Sequence, residues 1–211
     1  MVTNLLIIGC LSAGNSISSA FCFVARGLDP QGSGRCSFYI ADKFANLSNW
    51  QSIGTKNWSL VNGQLVMQSG DRMFDKTILP DNYKISVNKA TLLSGNGYGI
   101  YFRMTPSGTD YSGYDFQVDP GLGNKFVFRR YDTNGAELSA PLASANMPAN
   151  FDLNAPHQVD VVVQGSTYQA YVDGTLVLTA SDSNYKTGGQ AGFRTWDSSV
   201  AKYDNFTVTP P

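Results

Sequence analysis

Beyond Cys36 this chain of 211 residues contains no cysteine, and it has one histidine and one glutamate in all. Each scarcity removes a class of answer. Cys10, Cys22 and Cys36 are an odd number at one end of the chain, so no disulfide framework holds the remainder together. The lone His157 cannot build a His-ligated metal site, and no Gly-x-Ser-x-Gly elbow makes it a triad base. Charged residues make up 15%, below the usual quarter, and the net charge is −1. There is no basic field for nucleic acid. "GSGR" and "PGLGNK" precede strand-like segments rather than helices, which excludes a phosphate loop. Glutamate is a residue of helix surfaces, and its near absence beside sixteen acidic residues in total leaves a body of strands and turns.

Charge is also missing from the front of the chain. "MVTNLLIIGCLSAGNSISSAFCFVARG" carries no charged side chain before Arg26. A secretory signal wants a basic n-region, which "MVTN" does not supply. "IIGC" has the shape of a lipoprotein cleavage site. A membrane span needs roughly 20 apolar residues, and Asn15 and the serines between positions 12 and 19 weaken the second half. As a helix, residues 1–25 would reach roughly 38 Å and would need burial all round. Met1, Val2, Leu5, Leu6, Ile7, Ile8, Gly9 and Leu11 fall on a known pattern. They resemble the amino-terminal helix of type IV pilins and type II secretion pseudopilins. The leader and the glutamate of that family do not precede Met1, which reads as a late start or a clipped helix. The resemblance implies self-association through Leu5, Leu6, Ile7, Ile8, Gly9 and Leu11, and residence in a membrane before assembly. Residues 1–26 are then the helix and 27–37, rich in Gly, Pro and Ser, the linker.

Residues 38–211 read as strands to the end. "YKISVNKATLL", "GYGIYFRM", "YDFQVD" and "KFVFRRY" alternate or run apolar between turn clusters. "HQVDVVVQGSTYQAYVDGTLVLTAS" is two hairpins, with Gln-Gly-Ser and Asp-Gly at the bends. No stretch repeats apolar residues at helical spacing, so the expectation is an antiparallel sandwich or barrel. "FANLSNWQSIGTKNWSLVNGQLV", "GYGIYFR", "AYVDGTLVL", "GGQAGFRTWDSS" and "YDNFTV" occur in an order that is similar to the laminin-G-like and concanavalin A-like lectin and glucanase superfamily. That resemblance implies an all-β jelly-roll of two antiparallel sheets, with Trp50 and Trp58 in its core. Hydrolases of the superfamily carry two glutamates close together on one strand. Here Glu137 stands alone in "TNGAELS", read as a turn, and the spacing of Asp115 and Asp119 is generic. The expectation is a non-catalytic protein.

Period-two alternation sorts the faces. Tyr98, Ile100, Phe102, Met104, Tyr114, Phe116, Val118, Phe126, Phe128 and Phe193 point inward. Tyr101, Arg103, Asp115, Gln117, Arg129, Tyr131, Arg194 and Trp196 point outward. Aromatic rings among forked donors suit sugar rings and hydroxyls, so Tyr101, Arg103, Gln117, Arg129, Tyr131, Arg194 and Trp196 form the expected glycan face. Asp42 and Asp204 lie on strands that jelly-rolls bring together, and they are the candidates for a structural calcium; no other cofactor is expected. The expected protein is an extracellular or cell-surface filament subunit displaying a lectin-like sandwich for adhesion. The alternative is a secreted or lipid-anchored carbohydrate-binding module outside any filament.

Overall fold

A computed structural model describes residues 38–54, 56–68 and 70–211. The pilin-like helix over 1–26, with its assembly residues Leu5, Leu6, Ile7, Ile8, Gly9 and Leu11, and the linker over 27–37 lie outside the described residues. So do the three cysteines. Among the described residues no helix is long and apolar enough to cross a membrane. Their one helical element is a 3-10 turn, Pro120–Leu122, capped by the Asp119 carboxylate on the Leu122 N–H at 2.9 Å.

Among the described residues fifteen strands, numbered in chain order, form two antiparallel sheets. The first holds β1 (Ile40–Asp42), β3 (Trp58–Val61), β4 (Gln64–Gln68), β6 (Tyr83–Ser94), β11 (His157–Gln164), β12 (Thr167–Val172), β13 (Thr175–Ser181) and β15 (Val200–Thr209). Its order is β13-β12-β11-β6-β15-β4-β3, with β1 on the free edge of β15. The second holds β2 (Trp50–Ile53), β5 (Arg72–Asp75), β7 (Tyr98–Ser107), β8 (Asp110–Asp119), β9 (Lys125–Tyr131), β10 (Ala143–Asn146) and β14 (Gln190–Thr195), in the order β10-β9-β8-β7-β14-β5-β2. The expected jelly-roll-like sandwich is therefore present. The two hairpins read at Gln164–Ser166 and Asp173–Gly174 join β11 to β12 in register and β12 to β13 with one shift between Ala170 and Tyr171. Asp173 and Gly174 both take positive φ, 50° and 78°, as the tight primed turn requires.

The core lies between the sheets and follows the alternation. Tyr83, Ile85 and Val87 of β6, Val159, Val161 and Val163 of β11, and Tyr203, Phe206 and Val208 of β15 meet Tyr98, Ile100, Phe102, Tyr114, Phe116, Phe126, Phe128 and Phe193 of the second sheet. Trp50 is buried, stacks on Phe193 at 5.5 Å, and donates its indole N–H to Asp42 at 2.7 Å. Trp58, on an edge strand, is only partly buried against the core. The sheets differ on their outer faces. That of the first is solvated, with Lys84 paired to Asp160 at 2.8 Å across β6 and β11. In the second sheet β14 is buried along its whole length and β8 everywhere but its first residue, so this sheet is covered on both faces.

Candidate functional site

The outer face of the second sheet is covered because its own side chains and the loop after β9 close over it. Antiparallel pairing places Arg129, Asp115 and Tyr101 in one row across β9, β8 and β7, and Gln117, Gly99 and Arg194 in the next. Residues 132–142 fold back over this face. Glu137 pairs with Tyr131 through the backbone, and Arg129 donates to the carbonyls of Leu138 at 3.1 Å and Ser139 at 3.3 Å. The face expected to be exposed is thus a recessed cluster. Tyr101, Gln117 and Tyr131 are almost fully buried, and Arg129 and Arg194 are each 8% exposed.

Four of the expected residues, with two others, form one network. The Arg194 guanidinium donates to Glu137 at 2.6 Å and to the Tyr131 hydroxyl, and lies 3.5 Å from the Asp115 carboxylate. Arg129 Nε reaches Glu137 at 2.7 Å and Gln117 at 3.3 Å. The Tyr131 hydroxyl faces both Glu137, at 2.8 Å, and Asp115, at 3.1 Å, and its single proton satisfies one of them at a time. Gln117 donates to Asp115 at 3.0 Å. Trp196, half-buried just past β14, lies under Arg194 with 4.7 Å from guanidinium carbon to ring centre. Gly99 makes the meeting possible: a Cβ there would stand 2.8 Å from Asp115 Oδ2 and 2.9 Å from Arg194 Cγ. Tyr101 packs beside the network in an aromatic cluster with Phe74, Tyr111 and Tyr131, at ring separations of 5.1, 6.0 and 5.7 Å.

Burial dominates the electrostatics. It pushes the Asp115 carboxyl up to about 7; Arg194 pulls the other way but lies closer to the Glu137 carboxylate, at 2.6 Å against 3.5 Å. Burial also raises Glu137, against the pull of Arg129. Four polar atoms on this face have no hydrogen-bond partner among the described residues: Asp115 Oδ1, the Tyr101 hydroxyl, Arg194 Nε and Arg72 Nε. Buried polar atoms without partners are uncommon, and their collection on one face marks where water or a ligand would be held.

One of the expected placements needs correction. Arg103 is not on this face. A β-bulge between Phe102 and Thr105 gives Arg103 a φ of 51° and inverts the alternation, so Met104 joins Tyr101 outside. Arg103 turns away to the Tyr168 hydroxyl at 3.2 Å and the carbonyls of Asp81 at 2.8 Å and Tyr185 at 2.9 Å. The calcium pair has other partners. β1 and β15 are neighbours as expected, but Asp42 accepts from the Phe44 N–H at 2.6 Å and from the Trp50 indole, and Asp204 faces Lys89 at 3.4 Å. No group of three or more metal-binding side chains occurs among the described residues. Glu137 was missed because it lies in a loop, where alternation says nothing; its being the sole glutamate was the one available signal. His157 opens β11, bonded to Asp173 at 2.7 Å and to the Asp152 carbonyl at 2.8 Å, a strand-end role.

Comparison with known proteins places the chain by kind. The family model of the 3-keto-alpha-glucoside-1,2-lyase-like domain matches residues 42–209. The levanase of Bacillus subtilis (strain 168) is 24% identical over 164 residues, 77% of this chain and 23% of that protein. The chain thus spans about a quarter of the length of the curated relative it matches. Among solved structures, the carbohydrate binding module CBM66 from Bacillus subtilis superposes with a TM-score of 0.63 at 21% identity, over 78% of this chain and 97% of that one. A Bacillus licheniformis β-glucanase superposes with a TM-score of 0.60 at 18% identity, over 82% and 98%. At these identities the likeness to solved structures is one of fold.

Proposed function

The chain belongs to the 3-keto-alpha-glucoside-1,2-lyase-like domain family, and from that premise we propose that it is a non-catalytic, extracellular or cell-surface carbohydrate-binding module. Its sugar site is the recess at Arg194. The observation that carries the reading is the convergence of Arg129, Arg194, Glu137, Gln117 and Tyr131 beside Trp196 on one sheet face. Planar guanidinium forks and carboxylates match pairs of ring hydroxyls, and an indole matches the apolar face of a sugar. The recess opens through Glu137, whose side chain is 31% exposed, and through half-buried Trp196. The names of the relatives point the same way: a levanase, a carbohydrate binding module and a β-glucanase.

Binding is favoured over cleavage because glycoside hydrolysis ordinarily needs two carboxylates flanking the bond. Asp115 is wholly buried, and both Asp115 and Glu137 are held by the same tyrosine and arginine. The filament-subunit reading rests on residues 1–26 and contributes nothing to this proposal.

The test is a glycan array on the full chain, repeated with Trp196→Ala and Glu137→Gln. Anchor residues of this kind each contribute about 2 kcal/mol. Loss of Trp196 should therefore weaken binding about thirtyfold, since each 1.4 kcal/mol is tenfold. Arg194→Ala is a poor probe, because it takes from buried Asp115 its one arginine partner and from Glu137 one of its two, and should cost about 3 kcal/mol of folding stability. Glycan binding that survives both chosen substitutions moves the site elsewhere. Release of reducing sugar from any bound glycan refutes the non-catalytic reading.

A further inference from the structure

The same sheet face has a second recess at its other end. Along β14 the outward positions are Gln190, Gly192 and Arg194, and Gln190 lies four residues, roughly 13 Å, from Arg194. Between the two ends Phe74 and Tyr101 are fully buried and Tyr111 nearly so, so the floor is closed there. What opens at Gln190 is a separate pocket of about 500 Å³, within the roughly 300–1,000 Å³ of small-molecule sites.

Several unusual features maintain this pocket. Its floor is a pair of amides, Gln51 and Gln190, bonded at 2.9 Å. Its walls are the segments 78–81 and 187–189, tied together by the Leu79 N–H on the Gly189 carbonyl at 2.9 Å and the Gly188 N–H on Asp81 at 3.0 Å. Arg103, which is 1% exposed and pairs with no carboxylate among the described residues, donates to the carbonyl of Asp81 in one wall and to that of Tyr185, two residues before the other. Gly188 and Gly189 have positive φ, and a Cβ on Gly189 would stand 2.7 Å from the Arg103 carbonyl carbon. The bulge that removes Arg103 from the first site is therefore the bulge that builds the second.

The lining specifies the ligand class. Amides offer both donors and acceptors, Thr105 and Thr187 add hydroxyls, and Asp81 is the only charged residue of the lining among the described residues. The described lining thus offers an anion no lysine or arginine. Ile78, 70% exposed, supplies an apolar surface at the mouth. We propose that this pocket is a second sugar site, taking one neutral hydroxylated ring independently of the recess at Arg194. The proposal extends the carbohydrate-binding reading but rests on its own residues.

The experiment is amide NMR of the full, isotopically labelled chain, titrated with fructose, glucose, galactose and mannose and with levan and β-glucan oligosaccharides. The expected result is that at least one sugar moves the Gly188 and Gly189 backbone amides and the Gln51 and Gln190 side-chain amides. These shifts should persist in Trp196→Ala. They should weaken at least tenfold in Ile78→Glu, a surface change that leaves the fold intact, while the Trp196 indole still responds. Shifts confined to the surroundings of Trp196 and Glu137 overturn the second site and leave the carbohydrate-binding reading standing. Shifts at Gly188 and Gly189 without any near Trp196 support the pocket and refute the first site. Shifts at neither, with every probe, overturn both.

Discussion

Asp115 and Glu137 show how little a residue's type says without its surroundings. Both are carboxylates on one sheet face, touched by the same Tyr131 hydroxyl and the same Arg194. Glu137 takes the close bonds from two arginines, and Asp115 sits behind it, fully buried, with one oxygen unpartnered. Burial therefore wins at Asp115 and carries its carboxyl up to about 7. The unfolded chain releases that proton near 3.9. Between those values the folded state holds a proton that the unfolded state has lost, so the contribution to stability is whole below about pH 4 and falls as pH rises to about 7. Asp71, raised to about 6 by its own burial, acts in the same direction. Asp115→Asn removes the first of these contributions. Urea unfolding at several pH values should show wild type losing stability relative to Asp115→Asn as pH climbs from about 4 to about 7. A difference that stays flat over this window, or rises, contradicts the assignment.

At the level of the strand, what could be read and what could not divides at one residue of β7. From Tyr98 to Phe102 alternation predicts each side chain's face, because a pleated strand packed on both sides admits no other solution: Tyr98, Ile100 and Phe102 enter the core, and Tyr101 leaves it. The same rule works along β8, β9 and β14, so Tyr101, Gln117, Arg129, Tyr131 and Arg194 share one sheet face as alternation predicts, though that face is covered rather than exposed. It fails from Arg103 onward, where the chain adds one residue against β8. A bulge has no periodic signature, and an arginine at positive φ is not what a sequence reader expects there. Only tertiary neighbours account for it: Gly113 and Gly189 leave room against Arg103 and Met104, and the Tyr83 hydroxyl accepts the Arg103 N–H at 2.9 Å. Glu137 and the wall segments of the pocket are loops, equally outside the reach of alternation. If Arg103 organises the two walls, Arg103→Met should speed hydrogen exchange at the Leu79 and Gly188 amides at least tenfold while amides of β11 and β12 keep their protection. The loss of several charge-assisted bonds should also lower stability by about 2–3 kcal/mol. Uniform acceleration everywhere would mean that the residue supports the fold in general rather than the walls.

At the scale of the whole sandwich, its first and last strands pair. β15 is central to the first sheet, pairing along its length with β6 and at its start with β4, while β1 covers the remaining edge at Phe206–Val208. The short β1 segment does more than its three residues suggest. Ile40 and Phe44 enter the core, and Asp42 binds both the Phe44 N–H and the buried indole of Trp50, which stacks on Phe193. Residues 38–211 thus contain every strand and every core contact named above, and a protein beginning at residue 38 should fold alone as a cooperative all-β unit with unchanged glycan affinity. One beginning at residue 43 should not match it. It loses the β1 ladder, the Ile40 side chain and the acceptor of the Trp50 indole, and it bares an edge of β15. An Ile of this kind is worth about 2 kcal/mol or more in a core, and a buried donor left without its charged acceptor about as much again. The shorter protein should therefore unfold at a clearly lower urea concentration, with a loss of at least about 3 kcal/mol. Equal midpoints for the two would show that the sandwich is complete without β1, and that the Asp42–Trp50 bond stabilises nothing that the surrounding aromatic stack does not already hold.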